Sequence, residues 1–192
     1  MRSFLFTLAW AVAFLLMAFM LVVGYQCVFG QLFIDSLDCT LSDIEQVYDG
    51  DTIRDVRVLL IRHPFNEYDS GEYWPGVHIT EKGVEIETDI RIAGIDTPEK
   101  RTSTKNPDGS LRSEASRARE KAAAAAARQA LMDLLKANHL KFSISGAKHG
   151  KYAGRTVADV AVNERDVATY LIEKGHAKAY DGGTKPDWEW GD

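Results

Sequence analysis

Residues 4–23 run for 20 positions without a charged side chain, and no other feature limits the fold as much. At ~1.5 Å rise per residue such a helix spans about 30 Å, the hydrocarbon thickness of a bilayer. A helix apolar on every face has no partner in the core of a chain this size. Residues 1–30 are therefore read as a membrane anchor or an export signal. Arg2 precedes the run, and the next basic residue is Arg54, after Asp35, Asp38 and Asp43. That asymmetry places the N-terminus in the cytoplasm and everything else in the periplasm or outside the cell. A cleaved signal has a shorter apolar region, roughly 7–15 residues, and a small-x-small site. The run is longer than that, so an uncleaved anchor is preferred; cleavage near Gly24 would give a secreted protein. Cys27 and Cys39 follow the run and can pair in an oxidising compartment or remain thiols.

Residues 31–192 suffice for one domain. Two cysteines exclude a four-cysteine zinc site and a disulfide scaffold. The five histidines (His63, His78, His139, His149, His176) show no metal-ligand spacing, which disfavours a histidine-metal nuclease. No glycine-rich dinucleotide loop, P-loop or GxSxG elbow is present. The net charge of −5 argues against a general polyanion binder, but residues 89–160 carry a net +6 and the flanking blocks are acidic. That basic block is a solvated helix face or a local surface for a polyanion such as nucleic acid.

Periodicity predicts strands at 56–62, 77–80 and 84–95, with a loop over 63–76. In the third strand Val84, Ile86, Thr88, Ile90 and Ile92 alternate with charged neighbours. Residues 113–138, dense in Ala, Leu, Glu, Lys and Arg, predict a helix with an apolar stripe of Leu131, Leu134 and Leu135. Its six consecutive alanines (122–127) permit close packing on a sheet. Strands follow at 140–145 and 156–162, then a helix over 164–174 capped by Asn163 and ended by Gly175. A last short strand fits 177–180, before an irregular tail. This order suits one α+β domain built on a small twisted barrel, of which a five-stranded OB-fold is one solution.

The chemistry concentrates in three segments: Tyr48-Asp49-Gly50-Asp51-Thr52-Ile53, Arg91-Ile92-Ala93-Gly94-Ile95-Asp96-Thr97-Pro98-Glu99, and Lys151-Tyr152-Ala153-Gly154-Arg155. Each alone is weak: Asp-Gly-Asp is a common turn, and no EF-hand loop is present. Together they supply two carboxylates for one hard cation, a third to polarise water, and two arginines to grip a phosphate. Those are the components of phosphodiester hydrolysis.

The segments VYDGDTI, RIAGIDTPE and KYAGR, in this order, resemble the staphylococcal nuclease (thermonuclease) family over roughly residues 45–180. The resemblance implies a five-stranded OB barrel with packed helices, three in the family, and a Ca²⁺-dependent endonuclease that cleaves DNA and RNA to 3′-phosphate ends. Carried over by residue, it makes Asp51 and Asp96 the Ca²⁺ carboxylates and adds the Thr97 backbone carbonyl. Arg91 and Arg155 become the phosphate-binding arginines, Glu99 the base that activates or orients water, and Asp49 a supporting carboxylate. The rival is a non-catalytic OB module that binds nucleic acid or protein.

Four departures from the family pattern stand out. Between Ile53 and Arg91 lie 37 residues, which implies an extended hairpin over about 55–88. That insertion is decoration, or a lid or partner surface with Tyr68, Tyr73 and Trp74 as base-stacking groups. One extra residue separates Tyr152 from Arg155, and the spacing from Gly175 to Tyr180 is one short of the family's pocket tyrosine. The chain stops early, so a third helix is missing or replaced by the tail from Trp188 to Trp190.

Overall fold

The computed structural model describes residues 36–62, 70–106, 109–150, 154–188 and 190. The expectations placed on the apolar run at 4–23, on Cys27, on Tyr68 and on Tyr152 lie outside the described residues. Among those residues no helix is long and apolar enough to cross a membrane.

The elements are β1 (Leu37–Thr40), a 3-10 turn at Ile44–Gln46, β2 (Thr52–Arg62), β3 (Gly71–Trp74), β4 (Val77–Thr80), β5 (Gly83–Ile92) and β6 (Ile95–Asp96). Then come α1 (Glu114–Ala137), β7 (Lys141–His149), β8 (Arg155–Val162), β9 (Arg165–Asp166), α2 (Val167–Glu173) and β10 (Lys178–Ala179). Eight strands form one sheet in the order β3-β4-β5-β2-β1-β7-β8-β9, and β5 also pairs with β8. The pairings β5–β2–β1–β7–β8 therefore return to their start. All are antiparallel except β5–β8, which is parallel. β6 and β10 make a separate antiparallel pair.

The ring encloses the core. Ile53, Val56 and Val58 of β2, Ile90 and Ile92 of β5, Phe142 and Ile144 of β7, and Ala158, Val160 and Val162 of β8 are buried in it. Helix α1 closes one side with Leu131, Met132 and Leu135, and α2 adds Val167 and Leu171. Ser113 caps α1 by accepting from the Ser116 backbone N–H at 3.0 Å. Arg112, in the preceding loop, donates to Glu120 (2.7 Å) and Ser116 (3.1 Å), a nearly buried pairing that fixes where the helix begins. Cys39 is a free thiol in the core; burial, then the charge of Asp38, pushes its pKa up to about 12.

The alanine run earns its place at Gly50. Ala124 and Ala127 are buried, and a Cβ on Gly50 would lie 2.7 Å from the Ala127 Cβ and 2.9 Å from Thr97 Cγ2. A larger residue at either position would push α1 off the turn that carries Asp49 and Asp51.

The structure corrects several local expectations. The strand expected over 84–95 ends at Ile92, and Gly94 (φ +77°) turns the chain into β6. Only Ile90 and Ile92 of its alternating set are fully buried, while Glu85 is buried at 5% exposure. The outer half of β5, flanked in the sheet by β2 and β4, lies beyond the ring's interior, and Val84, Ile86 and Thr88 there are only half-buried. The expected loop at 63–76 contains β3, an edge strand that exists because β4 offers it a partner. The expected helix start at Asn163 is also displaced. Asn163 and Glu164 take left-handed φ of 49° and 64° in the tight β8–β9 hairpin, and Asp166 caps α2 instead. Finally, the described residues hold two α-helices, and the described part of the tail contains none.

Replacing Gly50 by Ala should destabilise the domain by about 1–3 kcal/mol through overpacking. Chemical denaturation of the variant against the parent checks this; an unchanged midpoint would refute the tight Gly50–Ala127 approach.

Candidate functional site

Both acidic motifs meet at the end of the ring where β2 begins and β5 ends. The register pairs Thr52 with Arg91, and the Ile92 N–H donates to the Asp51 carbonyl at 2.8 Å. Asp51 and Arg91 are therefore cross-strand neighbours, although 40 residues separate them in sequence. The turn at Gly94 folds Asp96 back over the same strand end.

Arg91 joins the carboxylates. Its Nη1 donates to Asp51 Oδ1 at 2.7 Å, its Nη2 stands 3.5 Å from Asp96 Oδ1, and Nη2 also donates to the Ile95 carbonyl at 3.4 Å. Asp51 is 3% exposed and Asp96 2%. Thr52 Oγ1 donates to Asp51 Oδ1 (2.9 Å) and the Thr97 backbone N–H to Asp51 Oδ2 (3.2 Å). Asp49 accepts from the Asp51 N–H at 3.2 Å and so shapes the turn. Burial, then the charge of Asp49, raises the Asp51 pKa from its ordinary 3.8 to about 6; Arg91 and the hydrogen bonds from Thr52 and Thr97 only partly offset this.

Asp96 Oδ2 accepts from the Trp188 indole N–H at 3.1 Å. Its other oxygen, Oδ1, is buried and makes no regular hydrogen bond, but the Lys185 ammonium stands 3.2 Å away. Lys185 also donates to the exposed Glu99. Burial lowers the Lys185 pKa, but the hydrogen bond and charge of Glu99 and the charge of Asp96 outweigh it and leave it raised.

Of the expected site residues, Asp51, Asp96, Thr97 and Arg91 come together directly, and Glu99 joins them through Lys185. Arg155 opens β8 opposite Asp89, two positions before the partner of Arg91, so it shares the outer face of the sheet with Arg91. Of the insertion aromatics, Trp74 does not reach the site. Trp74 is 73% exposed, two strands to the side of β5, and its register falls about 17 Å along that strand from Arg91. Lys185 and Trp188 were not anticipated. They lie 86 and 92 residues from their partners Glu99 and Asp96, in a tail with no periodicity to flag them.

For a metal, the site offers two buried carboxylates, one with an oxygen lacking a regular hydrogen bond; no group of three or more His, Cys, Asp or Glu that could hold an ion occurs among the described residues. Hard oxygen donors of this kind fit Ca²⁺ only if backbone carbonyls and water complete the shell.

The fold and site define a mixed α+β domain with carboxylates and arginine at one end of a closed ring of strands. The family model for staphylococcal nuclease homologues matches residues 89–188, and the chain belongs to that family. The matched span contains Arg91, Asp96, Thr97, Glu99, Arg155, Lys185 and Trp188 and begins after Asp51. Membership carries a nuclease-like or nucleic-acid-binding role. No curated protein matches the chain.

The raised pKa of Asp51 has a thermodynamic sign. A weaker acid in the folded state costs nothing while both states are protonated, and costs more as pH rises from 3.8 towards about 6. The stability of Asp51→Asn relative to the parent should therefore rise by up to about 3 kcal/mol between about pH 4 and pH 7. Thermal or urea unfolding at the two pH values measures it; a pH-independent difference would sink the assignment.

Proposed function

We propose that the chain is a Ca²⁺-dependent nuclease that hydrolyses phosphodiester bonds of DNA or RNA and leaves 3′-phosphates. The convergence of Asp51, Arg91 and Asp96 from distant segments onto one strand end, with Glu99 beside them, carries this reading. Asp51, Asp96 and the Thr97 carbonyl would hold the ion, which when bound supplies Lewis-acid polarisation of a phosphoryl oxygen. Arg91 and Arg155, on one sheet face, bind the phosphate and stabilise the charge that grows on it. Glu99, the exposed carboxylate, takes a proton from the attacking water or orients it. The ring β5–β2–β1–β7–β8 is read as the OB-type barrel, whose groove favours single-stranded or unpaired nucleic acid.

One observation favours the rival reading, a binding module without turnover: Lys185 engages the carboxylate that should act as base. The two part on cleavage. Incubated at low salt with single-stranded DNA, the full chain should cut with Ca²⁺, stop with a chelator, and leave 3′-phosphates. Glu99→Gln should lose about 10²–10⁴-fold in kcat and keep its DNA affinity. Binding without cleavage under every metal tried would install the module instead.

The uncharged run at 4–23 with Arg2 before it supports an anchor facing the periplasm or exterior, or secretion if it is cleaved. In cell fractions the intact chain should resist alkaline extraction from membranes. Recovery of the uncleaved chain in the soluble fraction would refute both forms.

A further inference from the structure

The tail after α2 is built onto the acidic site. β10 pairs with β6 so that Lys178 lies opposite Asp96 and Ala179 opposite Ile95, and the Tyr180 N–H donates to the Gly94 carbonyl at 2.9 Å. The chain then reverses: the Gly183 N–H bonds Asp181 Oδ1 (2.9 Å) and the Tyr180 hydroxyl donates to the Gly183 carbonyl (3.2 Å). Beyond the turn, Lys178 donates to the Asp187 carbonyl at 2.5 Å and lies 5.1 Å from the Trp188 ring centroid. Trp188 stacks on Trp190 with centroids 5.7 Å apart and planes 8° from parallel. These contacts hold the segment in a loop of its own, with two side chains aimed at the site.

Those two side chains differ in kind. The Trp188 N–H takes Asp96 Oδ2 and leaves Oδ1 for another partner. The Lys185 ammonium sits against Oδ1 and bonds Glu99 at the same time. A divalent ion sharing Oδ1 would meet a positive charge a few ångströms away, and a water polarised by Glu99 would compete for the oxygen that Lys185 holds. Lys185 is 52% exposed, so its stem can swing into solvent without disturbing the core.

We propose that residues 181–188 are an internal occupant of the nuclease site: the Lys185 ammonium holds the place between Asp96 and Glu99, and a divalent cation and a nucleic-acid strand bind as it withdraws. The inference rests on reading Asp96 and Glu99 as the catalytic centre. Trp188 stays in place and orients Asp96, while Lys185 sets the threshold for binding. The threshold is modest, because half-exposed ion pairs are weak.

The test is a calorimetric titration of the full chain with Ca²⁺, without nucleic acid, beside Lys185→Ala and Lys185→Arg. Removing the ammonium should tighten Ca²⁺ binding about three- to tenfold, the span expected for breaking one or two such pairs. Lys185→Arg keeps the charge and should match the parent. Equal or weaker binding by Lys185→Ala overturns the occupant role and leaves the nuclease reading intact if the parent cleaves DNA. Absence of Ca²⁺ binding by all three proteins overturns both.

Discussion

The guanidinium of Arg91 is the interaction on which the rest depends. Asp51 and Asp96 are almost wholly buried, and two buried carboxylates at one strand end are costly unless a cation shares them. Arg91 provides that cation from the strand that pairs with β2, so the charge balance and the sheet register are a single constraint. A slip of one residue would turn Arg91 to the interior and leave the carboxylates facing each other. Even with Arg91 in place, Asp51 remains a weakened acid. The fold thus tolerates a locally unfavourable arrangement at the point where the proposed chemistry needs negative charge held away from water.

Packing enforces the same geometry from behind. The turn carrying Asp49 and Asp51 lies against α1 at Gly50 and Ala127, so closely that a methyl on Gly50 would stand 2.7 Å from the Ala127 Cβ. Arg128 of α1 donates to the Val47 carbonyl at 2.7 Å and pairs with Glu45, tying the helix to the residues before that turn. The basic excess of residues 89–160 is therefore partly structural. Arg91, Arg112 and Arg128 are drawn into internal pairs, and a polyanion would meet a weaker positive field than the count suggests.

The tail is held against the same site. It reaches the site because β10 pairs with β6, the two-residue strand that contains Asp96. Any shift of β6 moves the carboxylate and the tail together.

The sequence by itself determined the pieces whose causes are local. Helix α1 follows from propensity and a capping serine, and its limits match the expected span with Ser113 and Asn138 as caps. The burial of Ile90 and Ile92 in β5 is likewise legible, as are the acidic and basic motifs, because strand preferences act over a few residues; the break at Gly94 is not, since the pattern reads as one strand through Ile95. The tertiary structure alone decided what depends on distance along the chain. It gave β3 a partner, turned Asn163 and Glu164 into a hairpin, set Thr52 opposite Arg91, and brought Lys185 and Trp188 onto Glu99 and Asp96. Such contacts form when the ring closes and β10 finds β6. A tail lysine carries no periodic signal of its eventual partner, since nothing within a few residues of it determines which carboxylate it will meet.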